Sequence, residues 1–439
     1  MTSDRHEQAR TLFEQALQAL QQGQAQAAES TLLTCLQLMP GRVSPLVALG
    51  AARLRLDRAS EALQALDEAL AQEPSRSDAW GQRADALLRL GRPAEALKAL
   101  DHADPDEAAT AWLRAQALQA LGQHTQALEQ LDALLARDDQ HAASWLQRAR
   151  TLQCLGRHAE AGPAYQRAVQ LDTTLGPAWT LLGQWQRDQG QWGAARQAFE
   201  TALALGDDPE LNRWFLAALP GAQAHDPAAL APAQPPPHYV QQLFDGYAAE
   251  FDQHLVQALA YQAPKRLAAL LATQAPACTG AALDLGCGTG LCGALLRARC
   301  AAVDGVDLSS AMLQRAQALG LYRHLHQAEV VQHLQTTSER YALLLAADVL
   351  IYLGNLQDLF AAAHQVLLPA GVFAFTVEVA VDDVAYELRP SLRYAHSKSY
   401  LLKLAAEVGL QVLQLQRAPL RLHEGQPLQG LYGLLRRPG

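Results

Sequence analysis

The chain has 439 residues, of which 50% are hydrophobic, 18% are charged and only 6% are aromatic. This length exceeds one ordinary hydrophobic core and predicts two domains, and the scarcity of aromatic residues argues against an all-β protein. The formal net charge of −9 disfavours nucleic acid as a partner, because a nucleic-acid surface needs a basic patch. No apolar run reaches the roughly 18 residues of a membrane helix, and the polar start MTSDRHEQAR lacks the apolar core of a signal peptide. We therefore expect a soluble, cytoplasmic protein.

The first half of the chain repeats one pattern six times: a small residue, a turn residue seven positions later and an alanine five positions further on. The turn residues are Gly23, Asp57, Gly91, Gly122, Gly156 and Gly190. They are separated by 34, 34, 31, 34 and 34 residues. Because glycine readily ends a helix, each unit predicts two antiparallel helices joined by a short turn. The 31-residue interval predicts a shortened joint between units at residues 101–110.

Large residues keep a fixed phase within the repeat, and in one phase they are Trp80, Trp145 and Trp179. Together with the small and turn residues, this pattern resembles the tetratricopeptide repeat over roughly residues 8–207. The resemblance implies an α-solenoid of six repeats whose concave groove binds a protein or a peptide. We assign residues 1–219 to this solenoid, including an amphipathic capping helix at 207–219.

A change of composition separates the solenoid from the rest of the chain. Residues 220–237 are rich in proline and alanine, which predicts a semi-rigid linker rather than a packed segment. From residue 238 to residue 439, short apolar runs alternate with segments of helix length. The runs cover residues 281–285, 301–306, 341–347, 371–378, 410–416 and about 428–436. This alternation predicts an α/β domain built on a mainly parallel, doubly wound sheet.

A glycine-rich turn follows the first of these strands, in the stretch AALDLGCGTGLCG at residues 281–293. Gly286, Gly288 and Gly290 leave room for a ligand to lie against the backbone at the carboxyl edge of the sheet. The dinucleotide fingerprint is G-x-G-x-x-G/A, and here Leu291 stands where its last small residue belongs. A cradle for a pyrophosphate is therefore disfavoured.

Three acids accompany the glycines. Asp284 lies in the last turn of the first strand, where it would repel a pyrophosphate but suit a ligand that carries an ammonium group and a sulfonium. Asp307 ends the second strand seventeen residues after Gly290, and a carboxylate there accepts both hydroxyls of a ribose. Glu329 comes just after a third strand, where the amino group of an adenine would lie. These residues predict a site for a sulfonium nucleoside.

The stretches LDLGCGTG, GVDLS, AE and AADVLIYLG resemble the motif series of the class I S-adenosylmethionine-dependent methyltransferases, over about residues 239–439. The resemblance implies a Rossmann-like methyltransferase domain with S-adenosyl-L-methionine as its cofactor. It places the three glycines at the methionine moiety and the ribose, and Asp348 at the floor of the pocket. The cofactor-binding residues that it implies are Asp284, Gly286, Gly288, Gly290, Asp307, Leu308, Glu329 and Asp348.

The combination of both halves resembles bacterial methyltransferases that carry tetratricopeptide repeats. In related methyltransferases an N-terminal helix folds over the cofactor, and YVQQLFDGYAAEFDQHL at residues 239–255 takes that place here. Its Tyr247 and Phe251 fall four residues apart, on one face of the predicted helix. An aromatic ring there would cover the sulfonium by cation–π attraction of about 1 kcal/mol. Plain core packing is the alternative for the same face.

Candidates for the chemistry of methyl transfer follow strands of the same domain. Because the methyl group arrives activated, the enzyme must mainly align a nucleophile, and a general base is needed only if the nucleophile begins protonated. Histidine is the side chain suited to that role near neutral pH, so His396 is a catalytic candidate, together with Glu378 after the fifth strand and Asp348 after the fourth. For His396 the alternative is a polar residue at a helix start, before Ser397 as N-cap. The six scattered cysteines contain no C-x-x-C pair and predict no metal site.

Absent motifs narrow the methyl acceptor. The segment after the fourth strand contains neither Asn-Pro-Pro-Tyr nor Asp-Pro-Pro-Tyr, and the chain has no Pro-Cys nucleophile for cytosine. Together with the acidic charge, this disfavours a nucleic-acid substrate. We therefore predict a methyltransferase whose repeats recruit a protein substrate or partner. The alternatives are a small-molecule methyltransferase that uses its repeats for assembly, and a scaffold that binds the cofactor without turnover.

Overall fold

The computed structural model of the chain describes residues 2–221, 232–247, 261–275, 280–381, 384–423 and 425–439. Contacts divide the chain into two compact units, Met1–Gln189 (unit 1) and Gly190–Gly439 (unit 2). Within the described ranges, no helix is both long enough and apolar enough to cross a membrane.

Unit 1 is made of helices joined in pairs by tight turns. The helices are α1 (Thr2–Gln21), α2 (Ala25–Leu38), α3 (Val43–Arg55), α4 (Ala59–Gln72), α5 (Ser77–Arg89), α6 (Pro93–Leu100), α7 (Ala108–Ala120), α8 (His124–Arg137), α9 (Ala142–Cys154), α10 (His158–Leu171) and α11 (Gly176–Asp188). The expected turn residues take the left-handed backbone conformation, with φ of +76° at Gly23, +57° at Asp57, +70° at Gly91, +72° at Gly122 and +71° at Gly156. Glycine adopts this conformation without strain, and aspartate is among the side chains that tolerate it. The predicted helical repeat is therefore confirmed.

The same hydrogen bond recurs from repeat to repeat. The indole nitrogens of Trp80, Trp145 and Trp179 each donate to a backbone carbonyl six residues earlier, at 2.8, 2.8 and 3.0 Å. Neighbouring pairs are also joined directly, since the Arg89 guanidinium in α5 donates to the Leu54 carbonyl in α3 at 2.7 Å. Each tryptophan thus closes the joint before its own helix, which explains its fixed phase in the sequence.

The short interval in the repeat comes from a helix rather than from a joint. Helix α6 has 8 residues, whereas α4 and α8 have 14 residues each. The joint after α6, residues 101–107, is longer than the joint between α4 and α5, residues 73–76. The prediction of a shortened joint was therefore wrong: the second helix of the third pair lacks its last turns, and the joint lengthens in partial compensation.

Gly162 in α10 lies beneath the indole ring of Trp185 in α11, and a Cβ at Gly162 would meet Trp185 Cζ2 at 2.2 Å. We expect Gly162→Ala to lower the free energy of unfolding by about 1–3 kcal/mol, because an overpacked core must shift side chains. Gly81→Ala is the matched control, since nothing lies within 4 Å of a Cβ at that helical position. It should raise stability by up to about 1 kcal/mol. Urea unfolding followed by tryptophan fluorescence measures both, and an unchanged midpoint for Gly162→Ala would contradict the packing.

Unit 2 begins with α12 (Trp192–Ala204) and α13 (Pro209–Ala218), the second of which is the amphipathic helix expected after the repeats. The rings of Phe199 and Phe215 stack with centroids 4.9 Å apart. The ring of Tyr239 meets Phe215 edge-on at 5.6 Å. Aromatic packing therefore fixes α13 on α12 and on the segment that leads into the sheet.

The sheet of unit 2 has helices on both faces. The remaining helices are α14 (Pro237–Tyr247), α15 (Ala263–Gln274), α16 (Gly293–Arg297), α17 (Ser310–Ala318), α18 (Val330–Thr336), α19 (Gln357–Val366) and α20 (Lys398–Glu407), with a 3-10 turn at Leu350–Tyr352. The strands are β1 (Ala281–Leu285), β2 (Ala302–Asp307), β3 (His324–Gln327), β4 (Tyr341–Ala346), β5 (Leu367–Val379), β6 (Tyr386–Leu388), β7 (Tyr394–His396), β8 (Gln411–His423) and β9 (Gln426–Arg436). Neighbours follow the order β3-β2-β1-β4-β5, then β5 pairs with both β7 and β9, β7 pairs with β6, and β9 pairs with β8.

The predicted α/β architecture is confirmed, and the sheet also contains antiparallel strands. Strands β1 to β5 pair in parallel. The last two predicted runs form a hairpin instead, because β9 is antiparallel to both β5 and β8. The short hairpin of β6 and β7, which no apolar run announced, lies between β5 and α20.

Parallel pairing brings the predicted acids to one edge of the sheet. Strand β1 pairs with β2 on one side and with β4 on the other. Asp284 near the end of β1 lies opposite Gly305 in β2, and Asp307 closes β2 two residues later. Asp348 follows β4 by two residues. Because the carboxyl ends of parallel strands meet at one edge, all three carboxylates belong to the ligand-binding side of the fold.

The carboxyl-terminal part of the expected linker is packed rather than free. Pro235 and Pro236 are buried. The Ala233 carbonyl accepts a hydrogen bond from the Gly354 amide at 2.7 Å. Within the described residues 232–237, the expectation of a spacer without packing was therefore wrong; residues 222–231 lie outside the described residues.

Candidate active site

The glycine loop after β1 needs glycine for backbone reasons. Gly286, Gly288 and Gly290 all lie in the left-handed region, with φ of +60°, +53° and +94°. A Cβ at Gly286 would meet Val349 Cγ2 at 2.4 Å, so the loop also passes too close to its neighbour for a side chain. Glycine supplies both the conformation and the space.

Asp307 joins the glycine loop to the end of β2. Its Oδ2 accepts a hydrogen bond from the Gly288 amide at 2.9 Å, and its Oδ1 accepts one from the Ser309 amide at 2.9 Å. Burial raises the pKa of the Asp307 carboxyl, while these two backbone hydrogen bonds oppose the shift. A carboxylate has about four acceptor sites, so Asp307 holds the loop in place and still has acceptor capacity toward a ligand.

Asp284 is buried, and its Oδ2 accepts a hydrogen bond from the Tyr322 hydroxyl at 2.7 Å. Burial raises its pKa to about 7; the hydrogen bond from Tyr322 opposes this shift, and the nearby charge of Asp307 adds to it. Burial makes the Asp284 carboxyl costly to ionise. A cation bound next to it would offset this desolvation cost, so the site favours a positively charged ligand.

A cavity of about 450 Å³ opens beside the glycine loop. The sequence-predicted residues that line it are Asp284, Gly286, Gly288, Asp307, Leu308, Glu329 and Asp348. Gly290, Glu378 and His396 are not among its lining residues. In the described part of the chain, no group of three or more His, Cys, Asp or Glu side chains could hold a metal ion. Most of the predicted cofactor residues thus surround one cavity, and their contacts with a cofactor stay predictions.

Glu329 begins helix α18 as well as lining the cavity. Its Oε2 accepts a hydrogen bond from the Gln332 amide at 2.8 Å, which makes it the N-cap residue. The same cavity has an apolar wall, formed by Leu308, Met312, Ala328 and Val330. An apolar wall that carries a carboxylate acceptor suits a planar base with an amino group.

Helix α14 covers the cavity with residues other than the expected pair. Leu243 and Phe244 line it, and the Phe244 ring meets the Tyr352 ring edge-on with centroids 5.5 Å apart. The expected aromatic cover was Tyr247 and Phe251. The Tyr247 side chain and Phe251 lie outside the described residues, so their role stays a prediction.

Asp245, which the sequence analysis did not single out, fastens α14 to the sheet edge. Its Oδ1 accepts a hydrogen bond from the Ser309 hydroxyl at 2.5 Å and from the Ala311 amide at 3.3 Å. Both donors lie at the start of α17, where a carboxylate also complements the positive end of the helix dipole. The covering helix is therefore tied to the loop that carries Asp307.

Asp348 has an unusual backbone and a charged partner from a distant strand. Its φ is +62°, and its amide donates to the Thr376 hydroxyl in β5 at 2.9 Å. Arg421 in β8 donates to Asp348 Oδ2 at 2.5 Å and to Glu378 Oε1 at 2.5 Å. Arg421 also lines the cavity, although the sequence analysis missed it. Its signal was one arginine within the otherwise apolar stretch APLRL.

Glu378 supports the site from behind rather than facing it. The residue is buried, does not line the cavity, and pairs with both Arg421 and Arg389. A side chain that is screened from the cavity by its own ion pairs has no access to a methyl acceptor. The prediction of Glu378 as a catalytic residue was therefore wrong, and its observed contact is with the arginine that holds Asp348.

His396 also lacks the position that a catalytic base needs. Its side chain is fully buried, and Nε2 donates to the Gly354 carbonyl at 3.0 Å. Burial lowers its pKa to about 4, against the effect of its backbone hydrogen bonds. The next residue, Ser397, accepts a hydrogen bond from the Tyr400 amide at 3.2 Å and caps α20. The alternative interpretation, a polar residue at a helix start, describes His396 correctly.

Three family models match parts of this chain. Residues 282–371 match the family described as Methyltransferase domain, residues 140–207 match Tetratricopeptide repeat, and residues 1–105 match Bacterial transcriptional activator domain. In the structure, residues 2–105 form helix pairs of the same kind as those that follow.

Each similar protein matches only one part of this chain. Human methyltransferase-like protein 27 is 46% identical over 86 residues, which cover 19% of this chain and 34% of that protein, so the match spans about a third of this relative. The solved structure of N-methyltransferase NodS from Bradyrhizobium japonicum with S-adenosyl-L-homocysteine is 18% identical, with a TM-score of 0.37 over 45% of this chain and 98% of that one. A tetratricopeptide repeat protein from Parabacteroides merdae is 16% identical, with a TM-score of 0.39 over 47% and 81%. The chain therefore combines tetratricopeptide repeats, matched over residues 140–207, with a methyltransferase domain, matched over residues 282–371.

Proposed function

We propose that this protein is an enzyme that transfers the methyl group of S-adenosylmethionine to a protein, which its repeats recruit. The observation that carries the proposal is the cavity at the carboxyl edge of the sheet, where the glycine loop meets Asp284, Asp307 and Glu329. A ligand with an ammonium group, a sulfonium, a ribose and an adenine finds a chemically matched group for each of these parts. The match of residues 282–371 to a methyltransferase domain supports the same assignment.

The residues of the cavity fit the cofactor in charge and in hydrogen-bonding capacity. Asp307 keeps acceptor capacity for a ribose hydroxyl, and buried Asp284 suits the ammonium group. The apolar wall and Glu329 suit the adenine ring and its amino group. When bound, the cofactor supplies a methyl group that is already activated on a positively charged sulfur.

The chain's own contribution to the reaction is alignment and exclusion of water. Residues of α14 and of the preceding segment, among them Phe244 and Pro235, line the cavity and cover one side of it. Asp245 and the Ala233 carbonyl fasten this cover to the domain. Holding two reactants in line within a dry site accounts for a large part of the acceleration that a displacement reaction needs.

The repeats support a protein as the recruited molecule. Unit 1 stacks its first helices side by side, as the bond from Arg89 to Leu54 between α5 and α3 shows. Further along, the side chains of Gln119 in α7 and Gln147 in α9 meet in a hydrogen bond. Stacked helix pairs of this kind form extended concave surfaces, and such surfaces bind extended peptides or helices.

A labelling experiment tests the proposal. Purified full chain and the chain shortened to unit 2, residues 190–439, are each incubated with methyl-labelled S-adenosylmethionine and a lysate from cells that lack the protein. Label in a protein band with the full chain, but not with unit 2, supports recruitment by the repeats. Equal S-adenosylmethionine affinity of both chains, measured by calorimetry, is the control for intact unit 2. Label in small molecules with both chains would contradict recruitment, and no transfer by either would contradict the enzyme.

The affinity for S-adenosylmethionine should rise as the pH rises through 7. At low pH Asp284 is protonated, because its pKa of about 7 lies above the ordinary value of 3.8, and a neutral carboxyl cannot attract the ammonium group. Between about pH 6 and about pH 7.5 we expect about an eightfold gain in affinity by calorimetry. Asp284→Asn should bind more weakly at the higher pH and show a flat profile. Equal affinity of the unmodified protein at both pH values would rule out this role for Asp284.

A further inference from the structure

One carboxylate oxygen of the cavity lacks a partner. Asp348 Oδ1 is buried and has no hydrogen bond to any of the described residues, although Asp348 lines the cavity. A buried acceptor without a donor costs free energy, so such an atom in a binding cavity points to a ligand that supplies the donor.

Contacts around Asp348 fix the position of its carboxylate. Its other oxygen accepts from Arg421, whose side chain is 1% exposed. Arg421 is held in turn by Glu378, and the Asp348 amide is held by Thr376. Side chains from two strands, β5 and β8, thus set the direction of one carboxylate, while the atom Oδ1 remains available.

Building on the methyl transfer proposed above, we propose that the methyl acceptor is an amine whose N–H donates to Asp348 Oδ1. The amine enters as the free base, with its lone pair on the methyl carbon. A carbon–nitrogen bond forms while the carbon–sulfur bond breaks, and the electron pair of that bond stays on sulfur, which becomes a neutral thioether. The positive charge moves to the methylated nitrogen, where the Asp348 carboxylate stabilises it. The extra proton of the product ammonium leaves to water.

Other acceptor classes fit these surroundings less well. A hydroxyl acceptor must lose a proton, yet the expected base, His396, does not reach the cavity. Burial raises the pKa of the Tyr261 and Tyr352 phenols that line the cavity, so they stay protonated near neutral pH. A carboxylate acceptor would approach Asp348 with a like charge. An amine needs no base at the moment of transfer and ends with a charge that Asp348 matches.

The chemistry of the transferred label tests this assignment. Full chain, methyl-labelled S-adenosylmethionine and the lysate described above are incubated, and the labelled products are split between base treatment and acid hydrolysis. We expect label that survives base and that appears as N-methylated amine after acid hydrolysis. Label released by base as methanol would identify a carboxylate acceptor, with Arg393 as the cation on the cavity wall, and would overturn the proposal. Label recovered as O-methyl ether, thioether or C-methyl product would also overturn it.

Variants of the full chain test the role of Asp348 itself. Asp348→Asn should reduce label transfer by about 100-fold, while its affinity for S-adenosylmethionine changes by less than about threefold. Asp304→Asn removes another buried acid of the same sheet outside the cavity, and it should keep most of the transfer. Unchanged transfer by Asp348→Asn, or a cofactor affinity that falls along with transfer, would overturn the assignment of Asp348 to the acceptor. If the unmodified protein binds S-adenosylmethionine but transfers no label to anything, the proposed enzyme fails first, and the acceptor assignment fails with it.

Discussion

Replacing Asp307 by asparagine should weaken the binding of S-adenosylmethionine by about 100-fold, measured by calorimetry on the full chain. Two effects add. The substitution removes the charge and one acceptor oxygen that would receive the ribose hydroxyls. It also turns an NH₂ group toward either the Gly288 amide or the Ser309 amide, both of which now donate to the carboxylate at 2.9 Å. The glycine loop would lose its tie to β2 at the same time as the ligand loses its acceptor.

Asp304 provides the control on the same strand. Asp304 is buried, and its carboxylate pairs with Arg323 at 2.5 Å. Unlike Asp307, it does not line the cavity. Asp304→Asn should lower the stability of the protein and leave the affinity for S-adenosylmethionine within about threefold of the unmodified value. If Asp307→Asn and Asp304→Asn weaken binding equally, the loss reports damage to β2 rather than a contact with the cofactor.

Positions that repeat or that end strands could be predicted from the sequence. Each helix pair must turn at a fixed place in its repeat. The turn glycines Gly23, Gly91, Gly122 and Gly156 are therefore enough to reveal the repeat length. Helix length is not part of that signal, and for this reason the short α6 was mistaken for a short joint. Asp284 and Asp307 were predictable for a similar reason, since the carboxyl ends of neighbouring parallel strands must meet.

Contacts that depend on strand direction and on distant pairing could not be predicted. Apolar runs do not reveal whether a strand is parallel, so the sequence did not show that β8 and β9 are antiparallel. Arg421 follows Asp348 by 73 residues, and its approach depends on a register irregularity of β8 between Pro419 and Arg421. Asp245 depends on the docking of α14, which composition does not show. His396 failed as a catalytic candidate because a helix start and a catalytic histidine look alike in sequence.

Arg421→Met should lower the free energy of unfolding by about 3–5 kcal/mol, because it leaves a buried carboxylate without its counter-charge. Glu378 would keep its contact with Arg389 at 3.3 Å, but Asp348 would lose the partner of Oδ2 while Oδ1 has no protein partner among the described residues. Most of the loss should therefore belong to Asp348. Urea unfolding of the full chain at neutral pH measures it, and Arg92→Met, which removes an arginine from an exposed ion pair, should leave the unfolding midpoint nearly unchanged.

The double variant Asp348→Asn with Arg421→Met decides whether the unpaired charge is the cause. In the double variant residue 348 carries no carboxylate, so no buried charge is left without a partner. The double variant should therefore be more stable than Arg421→Met alone. If the double variant is as unstable as the single one, lost packing of the arginine in β8 explains the effect. In that case Arg421 supports the sheet and does not hold Asp348 toward the cavity.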